Sequence, residues 1–218
     1  MLHVQLLNTN GISIRARALD RIALRAAAVG RNTHPATFAH VQPHAHAATS
    51  LTGRFVTALA SQGRSRMPPA AEIEFGARLH DIGKYFIPTS LLLKPGPLDE
   101  KEQLIMSLHP VYSSIIVEKL NSMTDTIYRA VLHHHEHWDG SGYPEGLAGT
   151  NIPLEARIVS IADVYSSLRA RRSYKPIYSK WDAFAMLLDM AGRELDPYLV
   201  EDFVRLMRDK QPLRHREL

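Results

Sequence analysis

Candidate metal ligands stand at the ends of apolar helical stripes that lie far apart in this chain. No other feature restricts the fold as much. Ile73, Ala77, His80 and Asp81 occupy positions i, i+4, i+7 and i+8, so an imidazole and a carboxylate extend the buried face of one predicted helix. Ile127 and Val131 continue in phase to His134 and His135, whereas His133 and His137 fall about half a turn away. His109 precedes Pro110 at a predicted helix junction, and Asp163 edges the stripe Ile158, Ile161, Ala162, Tyr165 and Leu168. Polar groups on a core face are costly unless something satisfies them, and a cation held between converging helices would. Imidazole nitrogen with carboxylate oxygen suits borderline-to-hard ions such as iron, manganese or zinc. An aspartate can bridge two ions through its two oxygens. Such a pair suits displacement at phosphorus, because it stabilises both the attacking and the leaving oxygen.

Each candidate alone has a plainer reading. A His-Asp dipeptide can be structural, His109 can simply start a helix, and Asp163 can be a cap or an ion-pair member. Buried adjacent histidines such as His134 and His135 need several partners if no metal is present. Lys84 lies three residues past Asp81, where its ammonium could neutralise a developing charge.

Composition narrows the class. The 218 residues suit one domain, or one domain plus a short attachment. The expected division is a helix or linker over 1–35, a catalytic domain over 36–210 and a tail over 211–218. The absence of cysteine excludes a disulfide framework and a thiolate metal site, and it fits a reducing cytoplasm. A net charge of +4 describes a solvated basic surface or a chain that meets anionic ligands; no nucleic-acid partner is expected. No apolar run approaches the roughly 18 residues of a membrane span, and no basic segment leads into an apolar one. Twelve histidines are the anomaly, and most fall between Pro35 and Asp139.

In chain order, Ile14, Ala18, Ile22, Ala26 and Val29 predict an amphipathic helix over Ile12–Val29. Its arginines fit a linker or pairing helix joined to a sensor or partner; an organelle transit peptide has a similar composition. Pro43 suits the first turn of a helix reaching about Gln62, with His44, Ala48, Leu51, Phe55 and Leu59 on one face. The next helix is expected from Ala70 to Gly83. A loop from Ile87 to Pro97 follows. Asp99 with Glu102 reads as a capping box. Further helices are expected from Pro110, from about Thr124, from Pro153 and from Ser179 to Gly192. A last helix runs from Asp196-Pro197 to about Met207. No strand pattern of convincing length occurs.

The motifs in series carry a family resemblance. They are His80-Asp81-Ile82-Gly83-Lys84, Ile87-Pro88, Lys94-Pro95-Gly96, His109-Pro110 and His134-His135-Glu136. The series continues with Asp139-Gly140-Ser141-Gly142-Tyr143-Pro144, Ile152-Pro153-Leu154, Ala156-Arg157-Ile158, Ala162-Asp163-Val164 and Arg172-Ser173-Tyr174-Lys175. In that order, over about Ala70 to Phe203, the chain resembles the HD-GYP domain, a subgroup of the HD metal-dependent phosphohydrolases. The resemblance implies an all-α fold, a helical HD-domain bundle with a short N-terminal helix. It implies two or three iron or manganese ions. Asp81 would bridge two of them, His80 and Asp163 would bind one, and His109, His134 and His135 the other. It also implies hydrolysis of cyclic di-GMP to pGpG, with further cutting to GMP in reach of the same site, by a hydroxide held between the ions. Lys84, Arg172 and Lys175 match phosphate-contacting positions, although Arg172 and Lys175 also fit a basic helix end favoured by the helix dipole. Asp139, Gly140, Gly142, Tyr143 and Pro144 form the signature loop, associated with site shaping and partner contact.

The chain departs from the pattern at one place. The family carries a further histidine on the preceding helix, in some members with a glutamate one turn earlier. Spacing from His80 puts that histidine position on or near Ala48 and the glutamate position on His44. Helical phase instead makes His44 the ligand and His40 the glutamate counterpart, and a helix starting later would bring in His46. A weakened first ion site leaves open a second role, a nucleotide-binding sensor or adaptor that docks a diguanylate cyclase. Homodimer formation is also left open.

Overall fold

The computed structural model describes residues 35–61, 67–119, 123–170 and 177–208, with side chains from Ala45 onward. The predicted helix over Ile12–Val29, and Arg172 and Lys175, lie outside the described residues. Within them the helices are α1 (Pro35–Ser61), α2 (Ala70–Leu79), α3 (Thr89–Leu92), α4 (Glu100–Met106) and α5 (His109–Glu118). They continue as α6 (Asp125–Leu132), α7 (Leu154–Arg169), α8 (Lys180–Met190) and α9 (Pro197–Arg208). A 3₁₀ turn spans Ile82–Phe86 and a shorter one Gly149–Asn151. Only two isolated β-bridges occur among the described residues, so the all-α expectation holds.

The main core lies between α1, α2, α7, α8 and α9. Phe55, Leu59, Ile73, Ala77, Ile158, Ile161, Leu187, Leu199 and Phe203 are buried there. Phe203 meets Phe55 and Tyr165 edge-on, with ring centroids 5.1 and 5.2 Å apart. Of these, Phe55, Leu59, Ile73, Ala77, Ile158 and Ile161 are residues that helical periodicity assigns to the inner faces. A smaller cluster of Leu79, Ile82, Tyr85, Val117, Ile127 and Val131 joins α2, the 3₁₀ turn, α5 and α6. It packs the segments that carry His80, Asp81, His109 and His134.

Helix starts follow local chemistry closely. Asp99 accepts the Glu102 N–H at 3.0 Å while Glu102 accepts the Asp99 N–H at 2.8 Å, the expected capping box. Ser179 and Asp182 form a second box, and the Thr124 hydroxyl accepts from Ile127 N–H. Asp196 caps α9 through the N–H groups of Tyr198 and Leu199 and pairs with Arg157 at 2.6 Å.

Three boundaries differ from the sequence reading. First, α1 starts at Pro35, and Pro43 lies inside it. Pro35 already supplies the fixed φ and missing N–H that suit a first turn, and the helix continues through Pro43 with one backbone hydrogen bond forgone. Second, α2 stops at Leu79, short of Gly83. Asp81 has φ −100° and ψ 4°, and the chain tightens into the 3₁₀ turn, with Lys84 N–H bonded to Asp81 O at 2.9 Å. Third, α6 stops at Leu132, so His134 and His135 lie in the turn that follows it. The Ile87–Pro97 segment also contains the short helix α3.

Candidate metal centre

His80, Asp81, His109, His134, His135 and Asp163 come together from four segments of chain. Ligand atoms of Asp81, His109, His134 and His135 lie within 4.8 Å of one another. His80 Nε2 adds to this group, 3.3 Å from Asp81 Oδ2 and 3.2 Å from Asp163 Oδ1. The two oxygens of Asp81 divide the set. Oδ1 faces His109 Nε2 at 3.2 Å, and Oδ2 faces His80 and the Lys84 ammonium, the latter at 2.7 Å. His80, Asp81, His109 and His134 are almost wholly buried, whereas His135 and Asp163 are partly exposed.

Helix ends aim the rings. Helical termini leave carbonyls without intrahelical partners. His80 Nδ1 donates to Ala77 O at 2.6 Å, His109 Nδ1 to Met106 O at 2.8 Å and His134 Nδ1 to Val131 O at 2.7 Å. These carbonyls belong to the last turns of α2, α4 and α6. A carbonyl can only accept, so each Nδ1 carries a proton and each Nε2 points inward, the arrangement in which a backbone acceptor fixes the tautomer of a metal-binding histidine.

The donor chemistry fits cations. Burial first, then the neighbouring histidines, lowers the pKa of His134, and burial similarly lowers His109 and His135. These rings are neutral, with lone pairs facing inward. His109 Nε2 and His134 Nε2 are 3.4 Å apart, and buried Asp81 Oδ1 accepts no hydrogen bond. Acceptors facing one another in a buried site repel unless a positive charge lies between them. On the other side, burial opposes protonation of His80, but the Asp81 and Asp163 carboxylates outweigh it and raise its pKa to about 10. A place that holds a proton between two carboxylates also suits a metal ion, whose binding displaces that proton. Burial disfavours ionisation of Asp81, yet His80 and Lys84 hold it well below the usual carboxylate range.

The 3₁₀ turn is locked onto α5 by close approach. Gly83 N–H donates to Ser113 Oγ at 2.8 Å, and that hydroxyl donates to His80 O at 2.8 Å. Sequence reasoning missed Ser113, because a serine in a short helix gives no signal of its distant partner. The signature loop lies on the other flank. The Tyr143 ring stacks on His135, with centroids 5.0 Å apart and planes at 27°. Burial, then the fields of Asp81 and Asp163, raise the Tyr143 pKa and keep the phenol protonated. Asp139 Oδ1 accepts Ser141 N–H at 2.9 Å, while Gly140 takes φ +84°. Gly142 packs against the ligand turn, and Pro144 is exposed.

His134 and His135 lie in this cluster, whereas His133 and His137 turn to other partners. His133 faces Glu136 at 3.6 Å, and His137 bonds to Ser141 at 3.0 Å. On α1, Ala48 is buried and His46 exposed, so the longer helix does not bring His46 inward. The side chains of His40 and His44 lie outside the described residues. No described helix is long and apolar enough to cross a membrane.

Comparison with known proteins agrees with this geometry. Over 134 residues, 61% of this chain, the sequence is 45% identical to the cyclic di-GMP phosphodiesterase response regulator RpfG of Xanthomonas campestris pv. campestris, of which it covers 35%. Over 130 residues, 59% of this chain, it is 42% identical to the 3'3'-cGAMP-specific phosphodiesterase 2 of Vibrio cholerae serotype O1, of which it covers 25%. The chain thus spans about a third or less of the length of these two relatives. A solved structure of Bd1817, a HDG"Y"P protein from Bdellovibrio bacteriovorus, shares the fold with a TM-score of 0.61 at 19% identity, over 77% of this chain and 52% of that one. Residues 36–199 match the HD domain family, so the chain belongs to that family.

Proposed function

We propose that this chain is a metal-dependent phosphodiesterase that opens cyclic di-GMP to linear pGpG and can cut further to GMP. The observation that carries the reading is the division of Asp81, whose two buried oxygens face two separate donor groups, as a bridging ligand requires. Two iron or manganese ions would supply Lewis acidity and lower the pKa of water at the site to near neutrality. His80 and Asp163 would hold one ion, and His109, His134 and His135 the other. Lys84, tethered to Asp81 at 2.7 Å and partly exposed, would meet a non-bridging phosphate oxygen as negative charge builds on it. By the resemblance, Arg172 and Lys175 would contact the phosphodiester.

The test is turnover by protein loaded with iron or manganese under anaerobic conditions, against cyclic di-GMP and 3'3'-cGAMP. Faster conversion of cyclic di-GMP to pGpG is expected. Lack of turnover on both substrates would reject the reading; preference for 3'3'-cGAMP would keep the reaction and change the base specificity. Lys84→Ala is expected to retain its metal and lose about a hundredfold or more in kcat, as for other lost charge-stabilising donors. Metal analysis beside initial rates checks this, and an unchanged kcat would remove Lys84 from the mechanism.

One observation favours a second role, a nucleotide-binding adaptor that docks a diguanylate cyclase. The inward position Ala48 offers no donor from α1. Less than one ion per chain with nucleotide binding retained would favour that role.

A further inference from the structure

Glu136 follows the two ligand histidines directly, and nothing above gives it a task. It is 2% exposed. Oε1 accepts the Glu145 N–H at 2.8 Å and Oε2 accepts the Leu147 N–H at 3.0 Å. The residues that directly follow the signature loop therefore give two backbone donors to one buried carboxylate. A loop normally leaves such groups to water.

The loop grips the ligand turn in return. Tyr143 N–H donates to His135 O at 3.1 Å. A Cβ on Gly142 would lie 2.2 Å from His137 N and 2.5 Å from His135 O, so only glycine allows this approach. Tyr143 is carried over the His135 ring as a result. Ligand, loop and aromatic wall form one hydrogen-bonded unit whose centre is the Glu136 carboxylate.

We propose that Glu136 is a positioning residue: it fixes the signature loop so that Tyr143 stacks on His135, setting ligand orientation and the substrate-facing wall together. Glutamine at this position has the same shape but only one acceptor oxygen, and its NH₂ group would oppose one of the two loop N–H donors. A residue that acts on a ligand from outside the coordination sphere typically alters metal affinity by about 10- to 100-fold.

Glu136→Gln tests this in the full chain, with Mn²⁺ as the metal probe. Amide hydrogen exchange at Glu145 and Leu147 is expected to rise at least about tenfold, while exchange in α7 and α9 stays unchanged. Mn²⁺ affinity is expected to fall within the range just given. With cyclic di-GMP as substrate, KM is expected to rise more than kcat falls. Tyr143→Ala is expected to reproduce the KM change without faster exchange at Leu147. Unchanged exchange at Glu145 and Leu147 would overturn the clamp. Faster exchange with unchanged Mn²⁺ affinity would reduce Glu136 to a loop-stabilising residue and overturn its positioning role. The inference rests on the proposed reaction only for the KM readout. Exchange and Mn²⁺ affinity need no substrate, so they still decide the matter if cyclic di-GMP is not turned over.

Discussion

Asp81→Ala is expected to leave the protein with less than one ion per chain and to lower turnover by about a thousandfold or more. Removing one charge-stabilising donor from an active site typically costs about 10²–10³ in kcat. Asp81 serves both halves of the donor set at once, through Oδ1 to His109 and Oδ2 to His80. The carboxylate also orients Lys84. Its loss would therefore remove the proposed bridge, the tether of the ammonium and the negative charge that favours cations at the site. Asp81→Asn keeps the shape and one carbonyl oxygen, so it is expected to retain more metal than alanine. Metal analysis of both variants beside initial rates on cyclic di-GMP gives the comparison. Full metal content and full activity in Asp81→Ala would end the proposed mechanism.

Gly83→Ala is expected to destabilise the fold by about 3 kcal/mol, which is a fall in Tm of about 6–12 °C for a chain of this size. An added Cβ would lie 2.1 Å from His109 O, 2.6 Å from Ser113 N and 2.8 Å from Ser113 Oγ. Two of these atoms are backbone, so no side-chain rotation relieves the overlap. Relief requires the 3₁₀ turn to separate from α5, which breaks the Gly83–Ser113–His80 hydrogen bonds and moves Asp81 away from His109. Metal affinity should fall together with stability. Thermal melting with and without Mn²⁺ measures both, and a change under about 1 kcal/mol would refute the close packing inferred for this turn.

The sequence made the donor set legible because ligand positions share the periodicity of the core. His80 and Asp81 lie in phase with Ile73 and Ala77, and His134 with Ile127 and Val131, so a test for buried faces finds them. Caps were equally legible at Asp99 and Ser179, because their partners lie three residues away. What periodicity hid was where helices stop. His80, Asp81 and His134 remain buried and His135 partly so, but all four lie beyond the regular helix. The phase argument carried past those ends only because the following turns keep similar directions. Pro43 misled for the opposite reason: a local preference for first turns gave way to a longer helix. Ser113 and the two amides held by Glu136 were hidden because their partners are distant in sequence or belong to the backbone.

Because leftover carbonyls at three helix ends dictate how the imidazoles point, the receptor for the cations is assembled when the chain folds. Capture then requires little rearrangement, and the ordering cost falls on folding. If the proposed pair of ions is bound, the register of those helix ends would set the spacing between them. One extra residue in the last turn of α2 would swing His80 through about 100° about the helix axis and turn its nitrogen away from its companions.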